Sequence, residues 1–359
     1  MQVAKQNKRS SGERPKLCIL PGEGAAAEAM LSSVAVLDAL QLPLEKDMLD
    51  VRTMTNEEMY RHMDSSHATW FGAMADGVNL LGYLRWTRGT YANVRPVQYR
   101  ENFNSPLKHP ENIDFMVIRE NLEDLYPPRE GDVAELKEIA AGHPEWSKLE
   151  DGIYALKVIS EKNTRNVAQF AAELARKRKQ EGHPGKVTIG VKDNVLRKSD
   201  GLFRDVAMEV LSAYPDIEVE KCIADALFHR MVLNPHSLDV VLLPNMLGDL
   251  LADGAAAMVG GLGLAPSACI GDDYAYFEPV HGTAPDIEGK GIINPTATLQ
   301  ALAMAIDYLG FSNESAQLNA AIEAVYREGK VLTPDQGGTS GTDEFCAAVI
   351  KNLKRGEEI

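Results

Sequence analysis

Four arginines in two short segments give the clearest indication of chemistry. Arg85, Arg88 and Arg95 lie in LRWTRGTYANVRP, and Arg119 ends the apolar run DFMVIR. A guanidinium group binds a carboxylate through two parallel hydrogen bonds, so arginines that converge on one pocket predict a site for a di- or tricarboxylate. Surface arginines are also common, and spacing alone leaves open whether these side chains converge.

Two aspartates in the segment NMLGDLLADGAAA predict a metal site. Asp249 and Asp253 are four residues apart, which on a helix places both carboxylates on one face, one turn apart. Like charges at this spacing repel each other, and Mg²⁺ or Mn²⁺ relieves the repulsion because these ions prefer oxygen ligands. The alternative, a solvated acidic face, is disfavoured by the surrounding leucines and alanines. A further acid, Asp225, is predicted to end a strand.

Two segments are candidates for a nucleotide site. GEGAAA, residues 22–27, matches a GxGxxA turn between a predicted strand and a predicted helix, and Glu45 and Asp47 follow about 20 residues later, where a dinucleotide fold places its ribose-binding carboxylate. Such short patterns also occur in ordinary strand-to-helix turns. In EPVHGTAPDIEGKGIINPTA, residues 278–297, dense glycines and prolines predict an ordered loop, in which Asp286 is suited to bind a ribose diol.

The chain as a whole is acidic and long enough for two domains. It has 359 residues, 52 Asp and Glu against 37 Lys and Arg, a formal charge of −15 and 45% hydrophobic residues. The hydrophobic share excludes a disordered chain, and the excess of acids disfavours a nucleic-acid or anionic-membrane partner. Four scattered cysteines without a CxxC pair indicate a reduced, cytoplasmic protein in which they are buried. Glycines and a proline interrupt the uncharged run 254–271, so no membrane span is predicted.

The elements that must position these residues follow an α/β pattern. Short β-branched runs alternate with amphipathic helices, which is typical of a mostly parallel sheet. Residues 162–180 carry their apolar side chains at helical spacing, and residues 1–14 are polar and predict a disordered tail. No linker divides the chain, so discontinuous domains are expected. The predicted strands are 16–20, 114–119, 187–191, 217–223 and 239–243.

Together these motifs make the chain resemble the β-decarboxylating dehydrogenases, the isocitrate/3-isopropylmalate dehydrogenase family, from about Lys16 to Leu353. YANVRP is similar to the family's YANLRP, IRENLEDLY to RENTEGLY and VKDNVL to its lysine motif; IADAL, NMLGDLLAD, EPVHGTAPDIEGKGIINPTA and TPDQGGTSGT follow in the family's order. The resemblance implies two discontinuous α/β domains with a cleft between them. Residues 1–97 and 256–359 would form a large cofactor-binding domain. Residues 98–255 would form a smaller domain with the dimer interface and the metal and catalytic residues.

The resemblance implies a two-stage reaction on a 2-hydroxy acid that carries a carboxylate at C3. Hydride passes from C2 to a nicotinamide, and the resulting β-keto acid loses CO₂. Arg85, Arg95 and Arg119 would bind the carboxylates of this small dicarboxylate. Lys192 would accept the hydroxyl proton, directly or through water, and Tyr126 would protonate the enol left by decarboxylation.

The resemblance also implies a metal, a cofactor and a homodimer, alone or within a tetramer, whose active sites are shared. Asp249 and Asp253 would bind Mg²⁺ or Mn²⁺ together with the partner subunit's Asp225, and Lys192 would likewise act in the partner's site. The family's cofactor loop is 278–297, so the turn at 22–27 loses its nucleotide interpretation. There Asp286 would bind a free ribose diol and repel a 2′-phosphate, which favours NAD. The implied cofactor-binding residues are His281, Gly282, Asp286, Ile287, Asn294 and Asn194.

Three departures from the family pattern bear on the substrate. GEGAAAE stands where the family has GDGIGPE, and the segment 73–84 is shorter than the family's. Asn79 and Leu81 take the substrate-recognition positions that are Ser and Asn in isocitrate enzymes, and a leucine there favours an apolar or small substituent on C3. In the RENTEGLY motif, Leu122 and Asp124 replace Thr and Gly.

The sequence therefore predicts an NAD-dependent and Mg/Mn-dependent dehydrogenase of a malate-type acid such as 3-isopropylmalate, tartrate or D-malate. NAD-dependent isocitrate dehydrogenase is the alternative within the same class. A catalytically silent regulatory subunit is the alternative from another class. It is disfavoured because all eight implied arginine, tyrosine, lysine and aspartate positions retain their residues.

Overall fold

A ten-stranded mixed sheet organises the computed structural model, which describes residues 14–75, 79–136 and 151–356. In chain order the strands are β1 Lys16–Leu20, β2 Glu45–Met48, β3 Ala68–Phe71, β4 Ala92–Gln98, β5 Asp114–Glu120, β6 Glu130–Asp132, β7 Ile153–Ala155, β8 Lys186–Val191, β9 Glu218–Ile223, β10 Val240–Leu243, β11 Pro266–Ile270 and β12 Ala275–Pro279. Their order across the sheet is β2-β1-β3-β12-β11-β4-β5-β10-β8-β9, and β6 pairs separately with β7.

The two wings of the sheet are parallel and its centre is antiparallel. β2, β1, β3 and β12 run parallel on one side, as do β5, β10, β8 and β9 on the other. Between the wings, β12, β11, β4 and β5 pair antiparallel. Only residues 271–274 join β11 to β12, and a parallel crossover needs a dozen or more residues. The predicted mostly parallel sheet is therefore confirmed, with the antiparallel pairings confined to its centre.

Helices connect the strands, and a side chain caps the start of some of them. They are α1 Gly24–Ala39, α2 Asn56–Asp64, α3 Leu80–Gly82, α4 Glu161–Gln180, α5 Ser199–Ser212, α6 Ala224–Leu233, α7 Asn245–Met258, α8 Thr296–Tyr308, α9 Ser312–Glu328 and α10 Thr342–Gly356, and α3 continues into a π-helical turn, Tyr83–Thr87. At the start of α2, Thr55 and Glu58 form a capping box. Ser160 caps α4 by accepting the amide of Asn163, which confirms the amphipathic helix predicted over 162–180.

The predicted strands are confirmed to within one residue at each end. The prediction for Asp225 is wrong, because β9 stops at Ile223 and Asp225 is the second residue of α6. Cys222 is partly exposed rather than buried, whereas the other three cysteines are buried as expected.

The predicted domain boundaries fall on regular elements. Residue 98 is the last residue of β4, which pairs along its whole length with β5, and residue 255 lies inside α7. The division into two domains stays a prediction. Residues 1–13 of the predicted tail lie outside the described residues. Within the described ranges, no helix is both long and apolar enough to cross a membrane.

Candidate active site

An open cleft of about 320 Å³ lies at the antiparallel centre of the sheet. Phe71 and Pro279 are the last residues of the parallel strands β3 and β12, and open α/β sheets bind ligands at the carboxyl ends of their strands. The cleft is lined by Phe71, Ala73, Met74, Ala75, Leu81, Arg85, Arg95, Arg119, Tyr126, Asp249, Glu278, Pro279, Val280, His281 and Gly282.

Three of the four arginines singled out from the sequence converge on this cleft. Arg95 on β4 and Arg119 on β5 lie on the same face of two paired strands. Arg85 enters from the π-helical turn, and its Nε donates a hydrogen bond of 3.3 Å to the Tyr276 hydroxyl. Arg119 is 1% exposed and Arg95 is 8% exposed, so both cationic groups are held away from bulk water.

Helix α7 places the two predicted metal ligands against these arginines. Arg95 donates to Asp253 over 2.6 Å and to Asp249 over 3.0 Å. Arg119 also pairs with Asp249. Gly248 permits this approach, since a Cβ there would lie 2.7 Å from the Cβ of Arg119. The predicted helical spacing is confirmed, and arginines offset the charge of the two partly exposed carboxylates.

The two carboxyls of α7 have pKa values shifted in opposite directions. Burial raises the pKa of Asp249, but the charge of Arg119 and the hydrogen bond from Tyr126 outweigh it, so the pKa lies below its ordinary value. Burial raises the pKa of Asp253 above its ordinary value, although Arg95 opposes the shift. Asp249 is therefore the more strongly ionised of the pair.

Tyr126 completes the arginine and aspartate cluster. Its hydroxyl donates to Asp249, and the guanidinium of Arg119 lies 4.5 Å from the ring centroid. Burial raises the pKa of Tyr126 to about 12. The phenol thus keeps its proton at neutral pH and faces the cleft as a proton donor.

Lys192 and Asp225 form a separate pair. The Lys192 Nζ donates to an Asp225 carboxylate oxygen, which lowers the pKa of Asp225. Neither side chain lines the cleft, and their side chains are 34% and 68% exposed. Across the described ranges, no three acidic, histidine or cysteine side chains are grouped closely enough to hold a metal ion. Within one chain, the predicted arginines, Tyr126 and Asp249 therefore lie together at the cleft, whereas Lys192 and Asp225 form an exposed pair away from it.

The start of α1 is occupied by the loop at 278–297. The Ala26 amide donates to the Thr283 carbonyl over 3.3 Å. Gly24 has a φ of +58°, and a Cβ there would lie 2.6 Å from the same carbonyl oxygen. Glu28 of α1 accepts the amides of Gly289 and Gly291. The glycine turn thus packs against this loop, which agrees with the loss of its nucleotide interpretation.

The predicted cofactor residues divide between cleft, surface and core. His281 and Gly282 line the cleft, and the buried Nε2 of His281 has no hydrogen-bond partner among the described residues. Asp286 and Asn194 are exposed, on different loops. Ile287 packs against the buried cluster of Ala25, Ala29 and Ile293. The buried Asn294 side chain is bonded to Tyr326, Asp335 and the Thr296 amide.

Two candidates lie away from the cleft. Arg88 pairs with Asp64 over 3.0 Å and lies 4.2 Å from the Tyr274 ring centroid, so this arginine does not converge with the other three. Asn79 is exposed and does not line the cleft, whereas Leu81 does.

Two residues at the cleft were missed in the sequence. Asn245, at the first position of α7, accepts from Arg119 Nε over 2.9 Å and fixes that guanidinium. Its position four residues before Asp249 was the available signal. Glu278 lines the cleft, and burial raises its pKa although Arg85 and other arginines lower it. Its place at the end of a strand was the only signal for it.

Comparisons with known proteins show which family the chain belongs to. The family model described as isocitrate/isopropylmalate dehydrogenase matches residues 16–349. A 3-isopropylmalate/3-methylmalate dehydrogenase of Methanocaldococcus jannaschii is 37% identical, over 94% of this chain and 99% of the relative. An isocitrate/homoisocitrate dehydrogenase of Thermus thermophilus is also 37% identical, over 94% and 98%.

A solved structure supports the same assignment. The crystal structure of isocitrate dehydrogenase from Methylococcus capsulatus superposes with a TM-score of 0.83 at 29% identity, covering 95% of this chain and 99% of the other. The chain therefore belongs to the isocitrate/isopropylmalate dehydrogenase family, whose members oxidise and decarboxylate small 2-hydroxy dicarboxylates with a nicotinamide cofactor and a divalent metal.

Proposed function

We propose that this protein is a cytoplasmic, NAD-dependent dehydrogenase that decarboxylates a malate-type 2-hydroxy dicarboxylate with Mg²⁺ or Mn²⁺. The observation that carries the proposal is the convergence of Arg85, Arg95 and Arg119 with Tyr126 and Asp249 in one cleft. Three guanidinium groups provide the charge and the geometry to bind two carboxylates.

In this mechanism the arginines exchange partners when substrate binds. In the free chain Arg95 and Arg119 pair with Asp249 and Asp253. A dicarboxylate substrate takes over these guanidinium groups and leaves the two aspartates free to bind a cation. Substrate and metal therefore favour each other's binding. The substrate pairs with the arginines and so frees the aspartates, and the cation binds the aspartates and so frees the arginines.

The residues present fit a metal and a nicotinamide cofactor. Asp249 and Asp253 offer oxygen ligands one helical turn apart. His281 lines the cleft, and its buried Nε2 has no hydrogen-bond partner among the described residues. When bound, the cation supplies Lewis-acid stabilisation of charge on oxygen and NAD supplies the hydride acceptor. The partner subunit's Lys192 takes the hydroxyl proton. Tyr126, which holds its proton at neutral pH, delivers it to the enol carbon.

The substrate class follows from the apolar side of the cleft. Leu81 and Met74 line the cleft together with Arg85. A third carboxylate on C3 would lose its hydration against these apolar side chains. We therefore favour a small or apolar C3 substituent, as in 3-isopropylmalate, tartrate or D-malate, over isocitrate.

A homodimer is the expected form, because Lys192 and Asp225 need a second cleft to act on. Helix α6 exposes Phe228, Val232 and Leu233, and α7 exposes Leu250, which is 61% exposed. Apolar side chains exposed this far on adjacent helices are suited to a symmetric interface with a second copy. Dilution until the protein is monomeric should abolish turnover.

The deciding experiment is an assay of purified protein with Mn²⁺ and either NAD or NADP against 3-isopropylmalate, tartrate, D-malate and isocitrate. Turnover of one malate-type acid with NAD supports the proposal. A preference for isocitrate would replace the substrate class. Binding of NAD and Mn²⁺ in thermal-shift titrations without any turnover, followed by activity on adding a related chain, would identify a regulatory subunit instead.

A further inference from the structure

Asp124 combines a left-handed backbone with a fully buried carboxylate. Its φ is +71° and its exposure is 0%, and the family that the chain resembles has a glycine at this position. A non-glycine residue in this conformation is strained, and burying a charged group is costly. Such a residue points to contacts that glycine cannot make.

The Asp124 carboxylate caps helix α7. Its Oδ2 accepts the Met246 amide over 3.1 Å, while the residue at the cap position, Pro244, provides no capping side chain. This capped helix carries Asp249, and Tyr126 lies only two residues after Asp124. One carboxylate thus fixes the loop of Tyr126 relative to the start of the helix.

The same carboxylate is the first member of a buried chain of charges. Lys157 Nζ lies 3.2 Å from Asp124 and 2.9 Å from a carboxylate oxygen of Asp200. Lys157 is 15% exposed and Asp200 is 0% exposed. The other oxygen of Asp200 accepts the backbone amide of Lys192 over 2.7 Å. Three charged side chains therefore connect the cap of α7 with the backbone of Lys192.

We propose that Asp124, Lys157 and Asp200 form a bridge of positioning residues between the two half-sites of each subunit. The proposal rests on the proposed function, in which Tyr126 acts in its own cleft and Lys192 acts in the partner's. A buried ion pair stabilises a fold less than apolar packing does, but it fixes geometry. Small displacements of catalytic groups cost large factors in rate. The bridge therefore fixes the position of Lys192, which acts in the partner's cleft, relative to Tyr126 in the subunit's own cleft.

The first test is a split between kcat and KM. Asp124→Gly suits the backbone conformation and removes the carboxylate, and we expect kcat to fall by about tenfold to a hundredfold from misplacement. The KM for the dicarboxylate should stay within about threefold, because the arginines that bind it are untouched. Lys157→Met should behave similarly, and Lys157→Arg, which keeps the charge, should restore most of kcat. Loss of stability with kcat unchanged in Asp124→Gly would overturn the proposal.

A matched control exists at the opposite end of the same strands. Asp239, also 0% exposed, pairs with Arg178 over 2.5 Å and accepts the Gly185 amide over 2.7 Å. This pair lies before β8 and β10, whereas the bridge meets the residue after β8. Asp239→Asn should lower the unfolding temperature without lowering kcat. A fall in kcat equal to that of Asp124→Gly would show that the effect is not specific to the bridge.

The second test places the change in one subunit at a time. Mixing Lys192→Ala subunits with Tyr126→Phe subunits gives dimers with one complete site, formed by Tyr126 of the first and Lys192 of the second. Absence of activity in these dimers would contradict the shared site and so the proposed function. Given activity, adding Asp124→Gly to either subunit should lower it by about tenfold. If Asp124→Gly lowered activity in only one of the two subunits, or in neither, the bridge would be contradicted while the proposed function would stand.

Discussion

The cleft and the Lys192–Asp225 pair differ most in how their charges are balanced. In the cleft, buried arginines, aspartates and a tyrosine contact one another within a single chain. The pair consists of one lysine and one aspartate that are partly exposed and bonded mainly to each other. The cleft is thus organised within one chain, whereas the pair reaches a cleft only in the proposed dimer.

This difference separates two tasks in the proposed reaction. Binding and orienting a dianion requires several cations held at fixed positions, and fixed positions require burial. Proton transfer by Lys192 requires a group that meets the substrate only after the subunits associate. Variants that remove one group from either region test whether the two tasks are separate.

Removing the lysine of the exposed pair should have the largest effect. Lys192→Ala should lower kcat by about 10²- to 10⁴-fold, the usual contribution of a general base, with little change in unfolding temperature because the side chain is partly exposed. Steady-state kinetics at saturating substrate measure this. Lys221→Ala is the matched control, since Lys221 lies on neighbouring β9 and pairs with Asp193. Equal losses in both variants would assign the effect to general electrostatics.

Removing one guanidinium fork from the cleft should instead raise KM. Arg119→Lys keeps the charge but loses the bidentate geometry, and the loss of one hydrogen bond between charged groups corresponds to about 10- to 100-fold in KM for the dicarboxylate. The comparison variant is Arg100→Lys, because Arg100 is also largely buried but pairs with Glu323 outside the cleft. If Arg119→Lys lowered kcat and left KM unchanged, the assignment of Arg119 to substrate binding would be wrong.

The choice between NAD and NADP should depend on one exposed carboxylate, with a smaller effect than the two variants above. Asp286 is exposed, so Asp286→Ala should fold normally and raise KM for NAD by about tenfold, the size expected for one hydrogen bond to a ribose hydroxyl. The preference for NAD over NADP should shrink at the same time, since repulsion of a 2′-phosphate is lost. Glu288→Ala, two residues further along the same exposed loop, is the control. If the kinetics with NAD and NADP were unchanged in Asp286→Ala, Asp286 would not determine the preference for NAD.

Some parts of the site can be predicted from the sequence and others cannot. Periodicity predicts β5 and α4 because each is a local pattern of apolar residues. The convergence of Arg95 and Arg119 is set by the antiparallel pairing of β4 with β5, which spacing along the chain does not encode. Arg88 carries the same local signal as Arg85 yet faces Asp64.

The bridge of Asp124, Lys157 and Asp200 could not be predicted from the sequence. Lys157 and Asp200 are ordinary charged residues in the sequence, and only the packing of β8, α5 and the loop before α4 brings them together inside the protein. Asp124 was visible only as a departure from a glycine. Long-range burial of charge therefore has to be read from the structure, because sequence gives no reason to expect a charged side chain to be enclosed.

The smallest predicted effect concerns the pH dependence of stability at the centre of the sheet and at one of its edges. At the edge of the sheet, burial of Glu220 is outweighed by hydrogen bonds from Arg230 and Thr188, and its pKa falls to about 2. At the centre of the sheet, burial raises the pKa of Glu120 at the end of β5 to about 8, although backbone amides of residues 122 and 123 oppose the shift. The stabilisation from ionised Glu220 is present above pH 4.5 and is lost as the pH falls towards 2. The contribution of Glu120 has the opposite sign: it is present below pH 4.5 and is lost as the pH rises towards 8.

Glu220→Gln and Glu120→Gln should therefore give opposite slopes when their unfolding free energies are compared with wild type between pH 3 and pH 8. For Glu220→Gln we expect a wild-type advantage of about 1 kcal/mol at pH 7 that shrinks on acidification, because partly exposed pairs contribute little. For Glu120→Gln the wild-type advantage should be larger at pH 5 than at pH 8. Urea titrations at constant protein concentration measure both. Parallel slopes would mean that the centre and the edge of the sheet stabilise ionised carboxylates alike, despite the difference in burial between Glu120 and Glu220.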